Sequence, residues 1–437
     1  MTIPIVAEGE VMMINISGWD WDIGKKLISD ISDWKKIYQW VEEPYVSSDG
    51  EKIAAVVKLP DDEVFTMCEN GVAWENAFDR VWYPKFSPDG RLTALISDTG
   101  EWALAVDGET AEDKYDFAWD THFSNDGKNI VYMAQKEGKY FAVLNDVPWE
   151  KVFLNMTGLA VSNDGKRAAA SVQTVAFKEA DIVKFQEGCY SAVIDEIVWN
   201  NNFVNVWDII FSPDGKRVAA GVRTTLYDYT IAIDGVVWEK TFASVWDPKF
   251  CPDDGSVTAP VRSSGKWFLA KDGQIFWDRK FEQLWHHVYS NDGKKIAAIV
   301  APQFGRWTIA VDGNTWDTTF GEMVTDAVFS PDGKRVACLG KENNKWTVAV
   351  DGNQWDEYDM AWQPVFSPDG KNVAAKVEKN GRYTIVVNGK PIPEDFATVW
   401  NPVFSPDSDR ILIKTIETGQ NENKYFRRVM PVADITG

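Results

Sequence analysis

The sequence predicts an all-β fold: a β-propeller of about ten four-stranded blades, closed by its N- and C-terminal strands. A β-hairpin motif recurs about every forty residues, and tight turns separate short apolar runs throughout the chain. No long stretch shows the 3.6-residue apolar period that helical repeats of similar length would need. The motif is clearest at residues 365–377, VFSPDGKNVAAKV, where two apolar runs flank a Ser-Pro-Asp-Gly turn.

This turn fixes the phase of the repeat. Proline presets φ at the first turn position, aspartate bonds back to its own backbone, and glycine adopts the positive φ that closes the turn. The turn aspartate recurs ten times, at intervals of 37 to 40 residues apart from one interval of 50. The ten positions are Asp49, Asp89, Asp126, Asp164, Asp214, Asp254, Asp292, Asp332, Asp369 and Asp407.

Each repeat can be divided into four strands, a to d. In repeat eight we assign strand a to residues 328–329, strand b to 335–339 and strand c to 346–350. The turn Asp351-Gly352 then leads to strand d near Trp355, which is again the chemistry of a tight hairpin.

Of the 22 tryptophans, 18 fall into three classes by their phase in the repeat, and the other four, Trp19, Trp21, Trp34 and Trp40, precede the first full repeat. The first class follows the c–d turn: Trp74, Trp149, Trp199, Trp238, Trp277, Trp316 and Trp355. The second precedes the last hydrophobe of strand a by four residues: Trp82, Trp119, Trp207, Trp246, Trp285, Trp362 and Trp400. The third opens strand c: Trp102, Trp267, Trp307 and Trp346. We interpret these tryptophans as packing between neighbouring blades. On this interpretation, Trp355→Ala should lower the free energy of unfolding by roughly 3–5 kcal/mol. The alternative is a chain of rings that passes electrons or stacks on sugars.

The two ends of the chain predict how the ring closes. The last repeat lacks a strand d, and Trp34 precedes Val46 by twelve residues, the offset that separates Trp74 from Phe86. The N-terminal region should therefore supply the missing strand, although Trp21, which imitates the c–d turn, could place it earlier. We expect an N-terminal arm at residues 1–33 that can take part in closure, and one propeller domain at 34–437. Two five-bladed propellers are the alternative.

Composition limits the classes of partner. The formal net charge of −21 argues against nucleic acid and anionic lipid, because both are polyanions. The first residues lack the basic start and apolar core of a signal peptide, and no window approaches the roughly 20 apolar residues of a membrane span. We therefore expect a cytoplasmic protein. Its four cysteines form no CxxC motif and are interpreted as buried thiols, with a ligand or disulfide role as the alternative.

A search for reaction chemistry finds no motif. The chain has no Gly-rich phosphate loop, no HExxH and no GxSxG. The only histidines are His122, His286 and His287, and the adjacent pair would point to opposite faces of a strand. Most aspartates belong to turns, so paired catalytic carboxylates cannot be distinguished. We expect no enzyme activity, no cofactor and no metal, while residues that converge from different blades on the central mouth remain an alternative.

Two features break the repeat and are the candidates for contact with a partner. The insertion at residues 174–188 carries Phe177, Ile182 and Phe185 beyond the needs of a hairpin tip, so it forms either a structured arm or simply a longer hairpin. Residues 14–40 carry Trp19 and Trp21 close together, which serve either ring closure or a partner.

The repeat FSPDGKxVA followed by WTVAVDGxxWD resembles the WD40-like, TolB-type propeller repeats over about residues 34–430. The density of tryptophan in an acidic chain with this N-terminus resembles the TmcD family, the tryptophan-rich subunits of the transmembrane redox complex of sulfate-reducing bacteria. That complex is thought to carry electrons between a periplasmic multihaem cytochrome and the cytoplasmic side. The resemblance implies a non-catalytic propeller subunit without a cofactor, peripheral on the inner membrane and bound to iron–sulfur and cytochrome b subunits in sulfate respiration.

Two other functional hypotheses stand beside this resemblance. One is a ligand-binding or hydrolytic propeller that acts on a glycan or peptide in its central mouth. Unpaired carboxylates that converge on the axis would favour it, and small apolar residues there would remove it. The other is a direct electron relay along tryptophan side chains.

Overall fold

The computed structural model describes residues 1–7, 10–60, 63–176 and 181–437, and these residues form one β-propeller of ten blades. Each blade is an antiparallel sheet with its strands in the order a-b-c-d, and in blades 1, 6, 9 and 10 strand a is split into two short segments. The fold and the number of blades that the turn motif predicts are both confirmed. The alternative of two five-bladed rings is wrong.

The blades follow one another along the chain. The strands of each blade are given in order a to d. Blade 1 has Trp40–Val41 with Tyr45–Val46, Ile53–Lys58, Phe65–Glu69 and Val72–Ala73, and blade 2 has Arg80–Phe86, Leu92–Asp98, Glu101–Val106 and Glu109–Thr110. Blade 3 has Phe117–Phe123, Ile130–Lys136, Lys139–Leu144 and Val147–Pro148. Blade 4 has Met156–Val161, Ala168–Gln173, Tyr190–Ile194 and Ile197–Val198, and blade 5 has Asn205–Phe211, Val218–Arg223, Tyr229–Ile233 and Val236–Val237. Blade 6 has Ser244–Val245 with Lys249–Phe250, Val257–Ser263, Lys266–Lys271 and Gln274–Phe281.

The strands of blades 7 and 8 are Gln283–Tyr289, Ile296–Gln303, Arg306–Val311, Asn314–Thr315; and Met323–Phe329, Val336–Glu342, Lys345–Val350, Asn353–Gln354. Those of blades 9 and 10 are Met360–Ala361 with Val365–Phe366, Val373–Lys379, Arg382–Val387, Lys390–Pro391; and Thr398–Val399 with Val403–Phe404, Arg410–Ile416, Lys424–Pro431 and, from the N-terminal region, Gly24–Asp30. Strand a of blade 8 begins five residues earlier than the sequence pattern indicates, because a β-bulge interrupts the pattern between Thr325 and Val328.

The a–b turn is held as its sequence predicts. In blade 8 the Ser330 hydroxyl donates to Asp332 Oδ1 (2.7 Å) and accepts from Arg335 N (3.0 Å), while Asp332 Oδ1 also accepts from Lys334 N (3.1 Å). These hydrogen bonds lower the pKa of Asp332 to about 2. The Arg335 side chain also donates to the backbone oxygen of Lys371 in the next blade (2.8 Å), so the turn contributes to inter-blade contact.

An apolar core lies between each pair of neighbouring blades, including blade 10 and blade 1. Tryptophans of all three classes pack at these interfaces. The strand-a tryptophan pairs with the strand-c aromatic of its own blade, as for Trp246 and Trp267, whose ring centroids are 4.2 Å apart. Trp355 is only half-buried. The cost predicted for Trp355→Ala assumed a fully buried ring and is therefore too high.

The N-terminal region closes the ring, as predicted. Strand Gly24–Asp30, which we call the latch strand, pairs along strand c of blade 10 and becomes its strand d. Helix Ile31–Ile37 follows and places Trp34, which is 2% exposed, in the core between blades 10 and 1. Before the latch strand, Thr2–Ala7 and Glu10–Asn15 pair as a two-stranded hairpin.

The insertion in blade 4 does not lengthen the hairpin, so that interpretation is wrong. Strand b ends at Gln173 and strand c begins at Tyr190, and helix Ile182–Glu187 lies between them. Asp181 Oδ1 caps this helix by accepting from Lys184 N (3.2 Å). Two short helical segments near the end of the chain, Gly419–Asn421 and Ala433–Thr436, complete the secondary structure. No helix in the described ranges has the length and apolar character needed to cross a bilayer.

The four cysteines are buried and unbridged, which confirms their interpretation as thiols of the core.

Candidate functional site: the inner strands and their cavity

The first strands of neighbouring blades contact one another in several places, and the Asp247 amide of blade 6 donates to Asp208 Oδ2 of blade 5 (2.9 Å). The a strands therefore form the inner wall of the ring, as in other propellers. Each of them carries the second-class tryptophan, or its equivalent, followed by one residue at a bulge or break. We call these ten residues the bulge ring: Glu43, Tyr83, Asp120, Gly158, Asp208, Asp247, His286, Asp326, Gln363 and Asn401.

Seven members of the bulge ring have a left-handed backbone, among them Asp247 (φ 46°) and His286 (φ 45°). Non-glycine residues seldom adopt this conformation, and where they do the surrounding structure must hold it. Five of the ten are carboxylates, so the bulge ring is acidic rather than apolar. Sequence reasoning missed this ring because its aspartates do not stand out from the turn aspartates, although each one comes directly after a strand-a tryptophan or, at Asp326, its Thr325 equivalent.

Two of these carboxylates are paired with a side chain two residues further along the chain. Asp120 Oδ1 lies 3.0 Å from His122 Nε2, and Asp247 Oδ1 lies 2.8 Å from Lys249 Nζ. The carboxyl group of Asp326 is partly buried, and this burial raises its pKa above the usual value.

His287 is fully buried beside the ring. Its Nε2 atom lies 2.8 Å from Thr258 Oγ1, which is 2.9 Å from the Tyr289 hydroxyl. Burial lowers the pKa of His287 to about 4, so the imidazole is neutral at pH 7. His286 is 70% exposed, so the adjacent pair does point in opposite directions. Within the residues that the structure describes, no group of three or more His, Cys, Asp or Glu side chains is placed to hold a metal ion.

A cavity of about 560 Å³ opens at the inner ends of blades 8, 9, 10 and 1. Its walls carry the rings of Trp346, Trp362 and Trp400, two lysines, Lys376 and Lys414, and two carboxylates of the bulge ring, Glu43 and Asp326. A volume of this size suits a small organic molecule. A second and more open cavity, of about 700 Å³, lies at the other end of blade 9, beside Arg382, Glu394 and Glu417.

The two lysines in the first cavity differ in surroundings. The Lys376 ammonium lies over the rings of Trp362 (4.1 Å to the centroid) and Tyr383 (4.9 Å). Lys414 is 4% exposed, and its ammonium donates a long hydrogen bond of 3.4 Å to Ser48 O. Burial lowers the pKa of Lys414 to about 8.

The predicted partner-contact residues lie in two separate regions. In blade 4, Ile182 is 65% exposed and Phe185 is half-buried, while Phe177 lies outside the described residues. Beside blade 10, Trp21 is buried, and Trp19 stacks on it with ring centroids 6.0 Å apart. The core formed by Trp21 with Val403, Leu412 and Val429 accounts for Trp21 through ring closure. The structure brings the two tryptophans together but leaves the insertion in a different blade.

The architecture defines the class of the protein as a ten-bladed β-propeller, and half of its bulge ring consists of carboxylates. No family model and no curated protein matches the chain. Among solved structures, the chain is similar to one titled "Crystal structure of the eukaryotic initiation factor", with 14% identity, a TM-score of 0.45, and coverage of 73% of this chain and 88% of the other. A likeness at this level identifies neither a family nor a function.

Proposed function

We propose that this protein is a non-catalytic, cytoplasm-facing propeller subunit of a membrane-bound electron-transfer complex of sulfate respiration. Its role there is to hold iron–sulfur and cytochrome b subunits in place, and it is peripheral on the inner membrane through them. The resemblance to the TmcD family suggests these partners. The observation that carries a docking role is the helix Ile182–Glu187, none of whose side chains is buried.

This helix, in the insertion of blade 4, presents apolar side chains to solvent. Ile182 and Val183 are 65% and 64% exposed, although both are residues that proteins usually bury. Asp181 caps the helix and Gly188 ends it, so the exposed pair belongs to an ordered element. An apolar pair with nearby charges, such as Lys184 and Glu187, is typical of an interface with a protein partner.

The experiment is a mild-detergent pull-down of the tagged protein from its native membranes, followed by a visible absorption spectrum and identification of the eluted peptides. Haem bands and cluster-binding subunits should elute with the wild type and be lost with the double variant Ile182→Ser/Val183→Ser. The matched control is Val72→Ser/Ile197→Ser, which removes two apolar residues that are 72% and 74% exposed in d strands. A colourless wild-type protein that elutes alone would refute the proposal, and haem retained by the first variant would refute the role of the helix.

The acidic bulge ring favours a second candidate, a ligand-binding or hydrolytic propeller that takes a glycan or peptide at its centre. The inner strands of blades 1, 3, 5, 6 and 8 each carry a carboxylate of the bulge ring, of which Asp120 and Asp247 are ion-paired, whereas small apolar residues at these positions would count against a binding mouth. Hydrolysis of a panel of chromogenic glycosides and peptides, lost in Asp208→Asn and retained in the turn variant Asp214→Asn, would support this candidate. A wild-type protein with no turnover and no saturable binding of any member would exclude it.

A further inference from the structure

We propose that the cavity at the inner ends of blades 8, 9, 10 and 1 binds a small organic monocarboxylate that also carries a hydroxyl or amino group, and that Lys376 and Lys414 hold its carboxylate. This site does not depend on membership of a redox complex. It also does not depend on hydrolysis at the inner wall.

The ten blades serve as internal controls for the two lysines. Both occupy the strand-b position that lies opposite the strand-a tryptophan or its equivalent. In the other eight blades the residue at this position is buried. In blades 1 to 8 this position holds Val56, Leu95, Met133, Ser171, Gly221, Pro260, Ile299 and Leu339. The fold therefore needs no cation at this position, and burying an ammonium group there costs free energy unless something compensates it. Two consecutive blades make this departure, and both lysines line the same cavity.

A neighbouring arginine shows what a purely structural cation looks like in this blade. Arg427 lies opposite Lys414 on strand c, is 3% exposed, and has Nε 3.0 Å from Glu51 Oε1 and 2.8 Å from Asp49 O. It therefore joins blade 10 to the first turn of blade 1. Lys414, which has three donor hydrogens, contacts the same turn with a hydrogen bond of 3.4 Å to Ser48 O. Asp49 of this turn favours the charged lysine and Arg427 opposes it, so an anion in the cavity would add to the compensation of this charge.

Lys376 supplies the second cation. Its ammonium lies over Trp362 and Tyr383, an arrangement that stabilises the charge while the side chain is largely removed from water. Burial lowers the pKa of Lys376, while the carboxylates of Glu43 in blade 1 and Glu378 on its own strand act in the opposite direction.

The other polar groups of the cavity decide which anion fits. Glu43 and Asp326 line the same space as the lysines, so the four groups come close to balancing in charge. A ligand that carries both a carboxylate and a hydroxyl or ammonium group can satisfy the lysines and the carboxylates together, whereas a phosphate dianion has no group for Glu43 and Asp326. A hydroxyl or ammonium on the ligand would donate to Glu43 or Asp326. The rings of Trp362 and Trp400 provide apolar walls for the carbon skeleton.

Calorimetric titration of the full chain tests the site, with L-lactate, L-serine and L-alanine as probes and propionate and inorganic phosphate as comparators. The wild type should bind at least one hydroxy or amino acid saturably. Lys414→Leu and Lys376→Leu, which introduce the residue of blade 8, should each weaken binding at least tenfold. The control Lys371→Ala removes a cation of blade 9 whose side chain is 81% exposed, and this variant should bind the probes as the wild type does.

The urea midpoint of each variant separates binding from folding. If the lysines serve a ligand, Lys414→Leu should unfold at the same urea concentration as the wild type or at a higher one. Lys414→Met, which keeps the length of the aliphatic chain, provides a second variant if leucine disrupts the fold. The proposal fails if the wild type gives no saturable heat with any hydroxy or amino acid, if phosphate binds most tightly, or if the folded lysine variants bind as the wild type does.

Discussion

The indole Nε1 atom of Trp34 lies 3.3 Å from the place where a Cβ atom would stand on Gly71. The same relationship recurs around the ring, where the c–d tryptophan of one blade packs on the c–d glycine of the next. The other pairs within 4 Å are Trp74 with Gly108, Trp199 with Gly235, Trp238 with Gly273, Trp277 with Gly313, Trp316 with Gly352, and Trp355 with Gly389. Trp34 belongs to this series although it lies in a helix. The contact therefore joins the last blade to the first.

The burial of these tryptophans predicts different costs for their removal. Trp34 is 2% exposed, so Trp34→Ala should lower the free energy of unfolding by roughly 3–5 kcal/mol. Trp355 is half-buried, so Trp355→Ala should cost about 2 kcal/mol. Urea unfolding at a fixed pH measures both. Equal costs for the two variants would show that Trp34 is not the more important contact.

The latch strand should be sensitive to proline. Leu27 pairs with Phe426 in strand Gly24–Asp30, and Leu27→Pro removes a backbone donor and fixes φ within the paired segment. We expect a loss of about 2 kcal/mol or more in unfolding free energy. The control is Ile23→Pro, one residue before the strand at a side chain that is 64% exposed. Equal stability of the two variants would mean that this strand does not hold the ring closed.

Gly221 leaves space for the ring of its strand-a neighbour. A Cβ atom at this position would stand 2.6 Å from atoms of the Trp207 indole, so Gly221→Ala must move the ring. The expected cost is about 1–3 kcal/mol. Gly18, which has no atom within 4 Å of its Cβ position, provides the control Gly18→Ala. Thermal unfolding followed by near-UV circular dichroism, to which Trp207 contributes, should show the difference, and identical melting curves would contradict the packing described.

Buried His287 should make stability depend on pH between about 6.5 and 4. Its folded-state pKa of about 4 lies below the ordinary value of 6.5, so the unfolded state binds a proton first as the pH falls. This group's contribution of about 3 kcal/mol is present above pH 6.5 and is lost by pH 4. The groups that act on it besides burial are Asp247, Lys249 and His286.

The measurement is the unfolding free energy at several pH values for the wild type and for His287→Leu. The wild type should lose more stability than the variant between pH 6.5 and 4. His286→Asn, which removes the exposed imidazole next to it, should follow the wild type. Parallel curves for wild type and His287→Leu would show that the buried imidazole is not the titrating group.

The parts of this fold that depend on local turn chemistry could be predicted from sequence, because a Ser-Pro-Asp-Gly turn forms from its own four residues. Asp332 and its nine equivalents therefore gave both the fold and the number of blades. The position of Trp34 in the closing interface could also be inferred from its offset to Val46. The strand before it could not be located, because Gly24–Asp30 carries no Asp-Gly turn and pairs with residues some four hundred positions away.

The cavity was harder to predict, because it is formed by residues from four blades and has no local motif. A signal was nevertheless present: an alignment of the ten repeats by strand b places Lys376 and Lys414 where the other repeats have apolar or small residues. The bulge ring could not be predicted, since a left-handed aspartate such as Asp247 looks in sequence like any turn aspartate. The helix in the insertion depends on only six residues and its Asp181 cap, which is too little to distinguish it from a longer hairpin.

The pairing of Gly24–Asp30 with Lys424–Pro431 also sets the order of events during synthesis. Among the strands of the ten blades, the one that completes blade 10 leaves the ribosome first, and the strand that it pairs with leaves last. Until then the nascent chain holds nine blades with two open ends, and the exposed edge of blade 1 must be protected from other chains. A ribosome that stalls before residue 424 therefore releases a product that cannot close, however well its blades have formed.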